Sequence, residues 1–222
     1  MDKPVQEASK EARILAAAEQ VFSRKGYTKA TLDEIIKIAD TGKGTVYKYY
    51  KNKDFLFYTL IIGKHKLLLE EISTQCGADL KFQERLENFF LVVMKFILQN
   101  NVLWQVLIFE TMASTAGWKL VWNEEQKDFD VDVKWGDSPK AADIAFKKKY
   151  AFILKEEIGA LEEIFRKGIS DGEIKPMRDV PLAATNIFIG NIIMLSQKSS
   201  AALDLKNIAQ DMGDMFMHGH KK

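Results

Sequence analysis

No proline interrupts the chain between Pro4 and Pro139, and through that stretch apolar side chains recur three and four positions apart. A proline inside a helix deletes a backbone donor and clashes with the preceding turn, so its absence leaves long helices free to form. The three-and-four spacing lays an apolar stripe along each of them. The pattern predicts an all-α chain of about nine helices. At 222 residues, 47% hydrophobic and 28% charged, the chain suffices for one large or two small folded domains, which excludes disorder over most of its length. Its longest apolar run, Phe89–Met94, ends at Lys95, far short of the ~18 residues a membrane span needs. The polar start MDKPVQEASKEAR lacks an apolar middle, so no secretory leader and a cytoplasmic location are expected. One cysteine, Cys76, cannot close an internal disulfide, and three histidines are too few for a structural zinc site. No cofactor or metal is expected.

The first helix is expected from Ser9 to Lys25, with Gly26 as its stop. A second, about nine residues long, begins at Thr31, whose hydroxyl caps it while Glu34 reaches back in a capping box. Asp40, Thr41 and Gly42 break the pattern, and a short polar-aromatic helix, Lys43 to Tyr50, follows. Asn52 caps a long helix from Lys53 to about Gln75. Further helices are expected over about 80–100, 102–113, 139–172, 181–196 and 204–217, with Pro139 at a first helical position and Gly172 as a stop. One segment stands apart: Phe129, Val131, Val133 and Trp135 alternate with charged residues at a period of two. It reads either as a short extended segment near 129–135 or as a surface loop.

Two short helices around one tight turn, residues 31–50, have helix-turn-helix architecture, in which the second helix enters the major groove of DNA. Residues 1–53 hold eleven Lys and Arg against seven Asp and Glu, while the remainder holds 21 against 24. That asymmetry suits a module that meets a polyanion, joined to one that does not. Val46 and Tyr50 can seat the second helix. Lys43, Thr45, Tyr47, Lys48 and Tyr49 then offer donors to phosphates and base edges, and Gly44 lets backbone approach the duplex. Thr31 and Lys53, each at a helix start, can hold phosphates beside free backbone N–H groups.

These residues resemble the tetracycline-repressor (TetR) family of bacterial regulators, closely over residues 10–60. Thr31, Leu32, Ile35, Ala39, Lys43, Gly44, Thr45, Val46, Tyr47, Tyr49, Tyr50, Lys53, Asp54 and Leu56 fall in the family's register. The resemblance implies DNA contacts from Thr31, Lys43, Gly44, Thr45, Tyr47, Lys48, Tyr49 and Lys53. Departures are Ile36 for a small residue, Asp40 for the turn glycine, and Thr41 and Gly42 for Val and Ser. The loss of a hydroxyl at 42 removes a common phosphate contact. The resemblance also implies an N-terminal three-helix DNA-binding domain (1–53) and a C-terminal helical bundle for ligand binding and dimerisation (54–222). The expected protein is a repressor that binds a palindromic operator as a homodimer and is released by a small effector.

Candidate pocket residues on the middle helices are Phe90, Met94, Trp104, Phe109, Met112, Trp118, Trp122, Tyr150 and Phe152, an aromatic set that favours a largely apolar or planar effector. The last two helices carry the candidate dimer interface: Ala184, Ile187, Phe188, Asn191, Leu195, Ile208, Met212, Met215 and Phe216. His65, isolated on the long helix, reads as a solvated or core residue rather than a pH switch. No nucleophile and base pair, clustered carboxylates or glycine-rich phosphate loop is present, so an enzyme is not expected. The rival to a DNA-binding regulator is a helical protein-interaction module with a vestigial helix-turn-helix.

Overall fold

The computed structural model describes residues 9–101, 103–105, 117–196 and 203–220. Among them are eight helices of seven residues or more and one β-hairpin. They form two compact units, Met1–Lys64 with Asn100–Val106, and His65–Gln99 with Leu107–Lys222. The units part inside one helix, α4 (Lys53–Gln75). No helix of the described residues is long and apolar enough to cross a membrane.

In the first unit, α1 (Lys10–Lys29), α2 (Leu32–Ile38) and α3 (Lys43–Tyr49) close a core with the start of α4. Ile14, Ala18, Val21 and Phe22 of α1 are buried with Ile35, Val46, Leu56 and Phe57. The Phe57 ring sits 4.9 Å from those of both Phe22 and Tyr27. The caps expected at Thr31 and Asn52 form, Thr31 Oγ1 accepting from Glu34 N at 3.3 Å and Asn52 Oδ1 from Phe55 N at 2.8 Å. Ser9 Oγ adds one, accepting from Ala12 N at 3.1 Å. Pro139 is not at a first helical position, since the helix expected there begins at Ala141 with Lys140 as its N-cap. α2 has seven residues where about nine were expected.

α1 does not stop at Gly26. The chain kinks there, at φ 74°, a left-handed conformation open to glycine, and resumes one more turn to Lys29. Lys53 receives this extra turn. Its ammonium donates to the carbonyls of Tyr27 at 3.0 Å, Ala30 at 3.2 Å and Thr28 at 3.5 Å, and lies 4.5 Å above the Tyr27 ring. An ammonium has three N–H donors, and all three are in use.

The second unit is built on α5 (Phe82–Gln99), whose buried Phe82, Leu86, Phe89, Phe90, Val93 and Ile97 meet α6 (Ala141–Ser170), α7 (Val180–Ser196) and α8 (Leu205–His220). The end of α6 follows the glycine signal: Gly172 has φ 74°, Gly172 N donates to Ile169 O at 3.1 Å and Glu173 N to Gly168 O at 2.9 Å. This is the Schellman pattern. It delivers two carboxylates to Arg85, which is 1% exposed and donates to Glu173 at 3.1 Å and Asp171 at 3.5 Å.

The chain is predominantly helical, as expected, and the short extended segment allowed for near 129–135 is one strand of a hairpin. β2 (Asp128–Val133) pairs antiparallel with β1 (Trp118–Asn123) in the register Trp118↔Val133, Leu120↔Val131, Trp122↔Phe129. The extended reading of 129–135 therefore holds through Val133, and its partner lies immediately upstream. One hairpin face is apolar, and Trp122, Phe129 and Phe152 of α6 cluster there with ring centroids 5.1–6.0 Å apart. The other face carries Lys119 opposite Asp132.

Lys53→Ala strands three carbonyls and is expected to cost about 1–2 kcal/mol in a denaturant titration. Arg85→Ala leaves two half-exposed carboxylates beside a buried void, an expected loss of about 2–3 kcal/mol by the same measurement.

Candidate nucleic-acid interface

α3 is short enough that its two sides are separable residue by residue. Val46 and Tyr50 face inward at 0% and 2% exposure, whereas Tyr47 and Tyr49 stand out at 44% and 42%. Burial and the neighbouring Glu11 carboxylate push the Tyr50 phenol up to about 12, so it remains neutral. Lys43, Gly44 and Lys48 are exposed and Thr45 is half-buried. Large phenolic side chains left outside are the informative observation, since their apolar rings cost free energy in water and suit contact with another surface.

The turn that aims this helix forms despite its departures. Asp40 takes φ 48°, in the left-handed region that aspartate tolerates. Gly42 occupies the N-cap of α3 and contributes no side-chain cap, leaving that role to its carbonyl, which accepts from Thr45 N at 2.9 Å. Lys43 lies 3.4 Å from Asp33 across the turn, an exposed pair of little energy that leaves the ammonium free to exchange partners.

Two residues expected at phosphates have internal partners. The Thr31 hydroxyl caps α2 and donates to the Glu34 carboxylate at 3.3 Å, and the Lys25 ammonium beside Glu34 holds that carboxyl below its usual range. Lys53 departs further from expectation, since its ammonium holds the end of α1. The six residues Lys43, Gly44, Thr45, Tyr47, Lys48 and Tyr49 remain as one outward set on α3.

The candidate pocket residues do not assemble into one lining. Phe90, Met94 and Tyr150 are core residues of the second unit, 1–3% exposed. Trp118, Trp122 and Phe152 belong to the hairpin and the α6 surface it covers, with Lys155 4.2 Å over the Trp122 ring. Trp104 belongs to the first unit, and Phe109 and Met112 lie outside the described residues. A cavity of about 450 Å³ opens elsewhere in the second unit, between α4 and α6, with Leu69, Ile72, Cys76, Arg85, Ile164 and Lys167 in its wall. Small residues at Ser73, Gly77 and Ala160 leave that space, a signal that a search for aromatic side chains passes over.

The candidate dimer set also splits. Ala184, Phe188, Asn191 and Leu195 are buried within the protomer, 0–8% exposed, Phe188 lying 6.3 Å from Phe89. Phe216 stacks on Phe165 and His220. Ile187, Ile208 and Met212 are half-buried, and Met215, 77% exposed, faces out with Leu182 and Ile193, two residues that the sequence reading left out.

Residues 14–59 match the model of the bacterial regulatory proteins of the tetR family. Over 83 residues the chain is 31% identical to an uncharacterized HTH-type transcriptional regulator, YhgD, of Bacillus subtilis, covering 37% of this chain and 44% of that protein. The chain thus aligns with less than half the length of that relative. A longer match, 26% identical over 183 residues, 82% of this chain and 80% of the other, is to the fatty acid metabolism regulator protein of Bacillus subtilis. The fold is similar to the crystal structure of the transcriptional regulator FadR from Bacillus subtilis in complex with stearoyl-CoA, with a TM-score of 0.65, 22% identity, and coverage of 93% of this chain and 97% of that one. These relatives are named as regulators and not as enzymes. Over residues 14–59, its helix-turn-helix segment, the chain matches the tetR family of bacterial regulatory proteins, and the curated relatives it resembles are named as regulators.

Proposed function

We propose that the protein is a ligand-responsive repressor that binds a palindromic operator as a homodimer and is released by an effector with a long apolar acyl chain. One observation carries the DNA half of this reading: a seven-residue helix seated by Val46 and Tyr50, with Lys43, Tyr47, Lys48 and Tyr49 outside. Lysines on such a helix neutralise phosphates and release counterions. Tyrosine hydroxyls and ring faces reach the groove. A dimer is supported by the outward apolar residues Leu182, Ile193 and Met215 on α7 and α8, and by the need to read two half-sites about one helical turn apart.

The effector is inferred from the extent of the similarity to the fatty acid metabolism regulator, which runs across 82% of this chain and so through both units. An acyl chain agrees with the apolar character expected of the effector, and a coupling of about 1–3 kcal/mol between the two ligands is the ordinary range for such release.

A genome-wide binding selection with purified protein is expected to return a palindrome with half-sites ~34–36 Å apart or a multiple. Against that fragment, Tyr47→Ala should lose at least about tenfold in affinity while sedimenting as wild type does. Unchanged affinity would mean that α3 meets DNA through another face. Titrating the complex with acyl-CoA thioesters of increasing chain length should release DNA with the long chains and not with acetyl-CoA; release independent of chain length would remove the acyl assignment.

A further inference from the structure

His65 is neither solvated nor an ordinary core residue. It lies on α4 within the second unit, its side chain 4% exposed, between two adjacent carboxyl groups of α6. Nδ1 is 3.1 Å from Glu157 Oε1 and Nε2 is 2.6 Å from Glu156 Oε2. Glu157 is fully buried and its second oxygen, Oε2, has no hydrogen-bond partner, whereas the Glu156 side chain is 63% exposed.

Counting donors decides what such a cluster holds. A neutral imidazole has one N–H and one lone pair, and two ionised carboxylates offer acceptors alone. In that state one ring nitrogen would set its lone pair against a carboxylate oxygen at hydrogen-bond distance. The observed geometry is satisfied when one further proton is present, on the ring or on Glu157. A buried carboxylate with an orphaned oxygen is costly as an anion, which adds to the demand for that proton.

We propose that His65, Glu156 and Glu157 form a proton-binding site that ties α4 to α6, and that through α4, which begins at the helix-turn-helix, pH is a second input on DNA binding. The second clause rests on the DNA-binding reading above; the first does not.

The titration of both buried groups has the same sign. Burial pulls the His65 imidazole down, but the hydrogen bonds and charges of Glu157 and Glu156 outweigh it and hold the ring above its ordinary value. Burial pushes Glu157 up to about 7 against the opposing pull of His65. A group whose pKa is raised on folding stabilises the fold fully below its unfolded value and loses that contribution as pH rises through the folded value. The tie is therefore strongest in mild acid. It weakens as pH rises from the ordinary carboxyl value of 4.5 toward about 7 for Glu157, and above 6.5 for His65. The charged groups acting on His65 are Glu157 and Glu156, and those acting on Glu157 are His65 and Glu156. On α4 itself, Lys64 is bound to Glu19 at 2.5 Å and Lys66 is exposed.

The test uses the full chain and two readouts. Histidine NMR and thermal unfolding between pH 5 and 8.5 address the site itself, with only His218 and His220 to distinguish from His65. His65 should titrate above 6.5, and wild type should melt lower at pH 8 than at pH 6. Glu157→Gln should flatten that slope and melt above wild type at pH 8. Glu156→Gln, on the exposed side where folding is not at risk, should lower the His65 midpoint. A ring that stays neutral down to pH 5, or a slope and midpoint that neither variant moves, overturns the proton site. At constant ionic strength, wild-type affinity for the selected duplex should then change by at least about threefold between pH 6 and 8, and by clearly less in Glu157→Gln. Equal pH dependence in both overturns the DNA input. If no duplex binds at any pH, the regulator reading falls and takes the DNA input with it, while the NMR and melting data still decide the proton site.

Discussion

The carbonyl oxygens of Tyr27, Thr28 and Ala30, past the kink in α1, converge on the ammonium of Lys53 at the start of α4. This contact brackets the segment from Thr31 to Asn52 at both ends, and α2, the turn and α3 are the contents of that bracket. The α3 orientation depends on little else that is polar, since its own N-cap is Gly42 and its seating is the apolar pair Val46 and Tyr50. A lysine suits the position because its single ammonium carries three N–H donors, one for each of the three carbonyls. The ammonium that a sequence reading sends to a phosphate thus already holds three carbonyls inside the unit.

What could be read from the chain beforehand was local. Thr31 and Asn52 cap helices because their side chains reach N–H groups three residues on, and Gly172 ends α6 because its backbone is left-handed there. Val46 and Tyr50 follow from a four-residue spacing. The misses were long-range. Lys53 meets carbonyls 23–26 positions away, and His65 meets carboxyls 91–92 positions away. β1 was concealed because WKLVWN is apolar at four of six positions and its alternation is blunted by Val121. The outer face of α7 was illegible for a related reason: VPLAATNIFIGNIIMLS contains no charged residue to mark the side turned to solvent, so buried Phe188 and exposed Ile193 look alike in sequence.

α6 is secured at two places by different chemistry. At its C-terminal end Arg85 of α5 grips Asp171 and Glu173, and a guanidinium keeps its charge at any pH the protein meets. Near its middle, His65 of α4 meets Glu156 and Glu157, a contact whose charge depends on the medium. The permanent pair joins α6 to the centre of the unit. The titratable one joins it to the helix that continues into the first unit. The ~450 Å³ cavity opens between the same two helices, with Arg85 in its wall.

Among the described residues the hairpin has two strands, and an outer strand edge is a template on which a foreign strand could grow. Asp128, Asp130 and Asp132 occupy every second position of β2, and Lys119, Asn123 and Lys134 gather around them with ion pairs and a hydrogen bond. A second copy of β2 laid beside the first in parallel register would bring aspartate against aspartate at three levels, and like charges directly opposite oppose pairing. The aspartates that make the strand's period visible therefore also oppose fibrillar stacking of this strand on its copies.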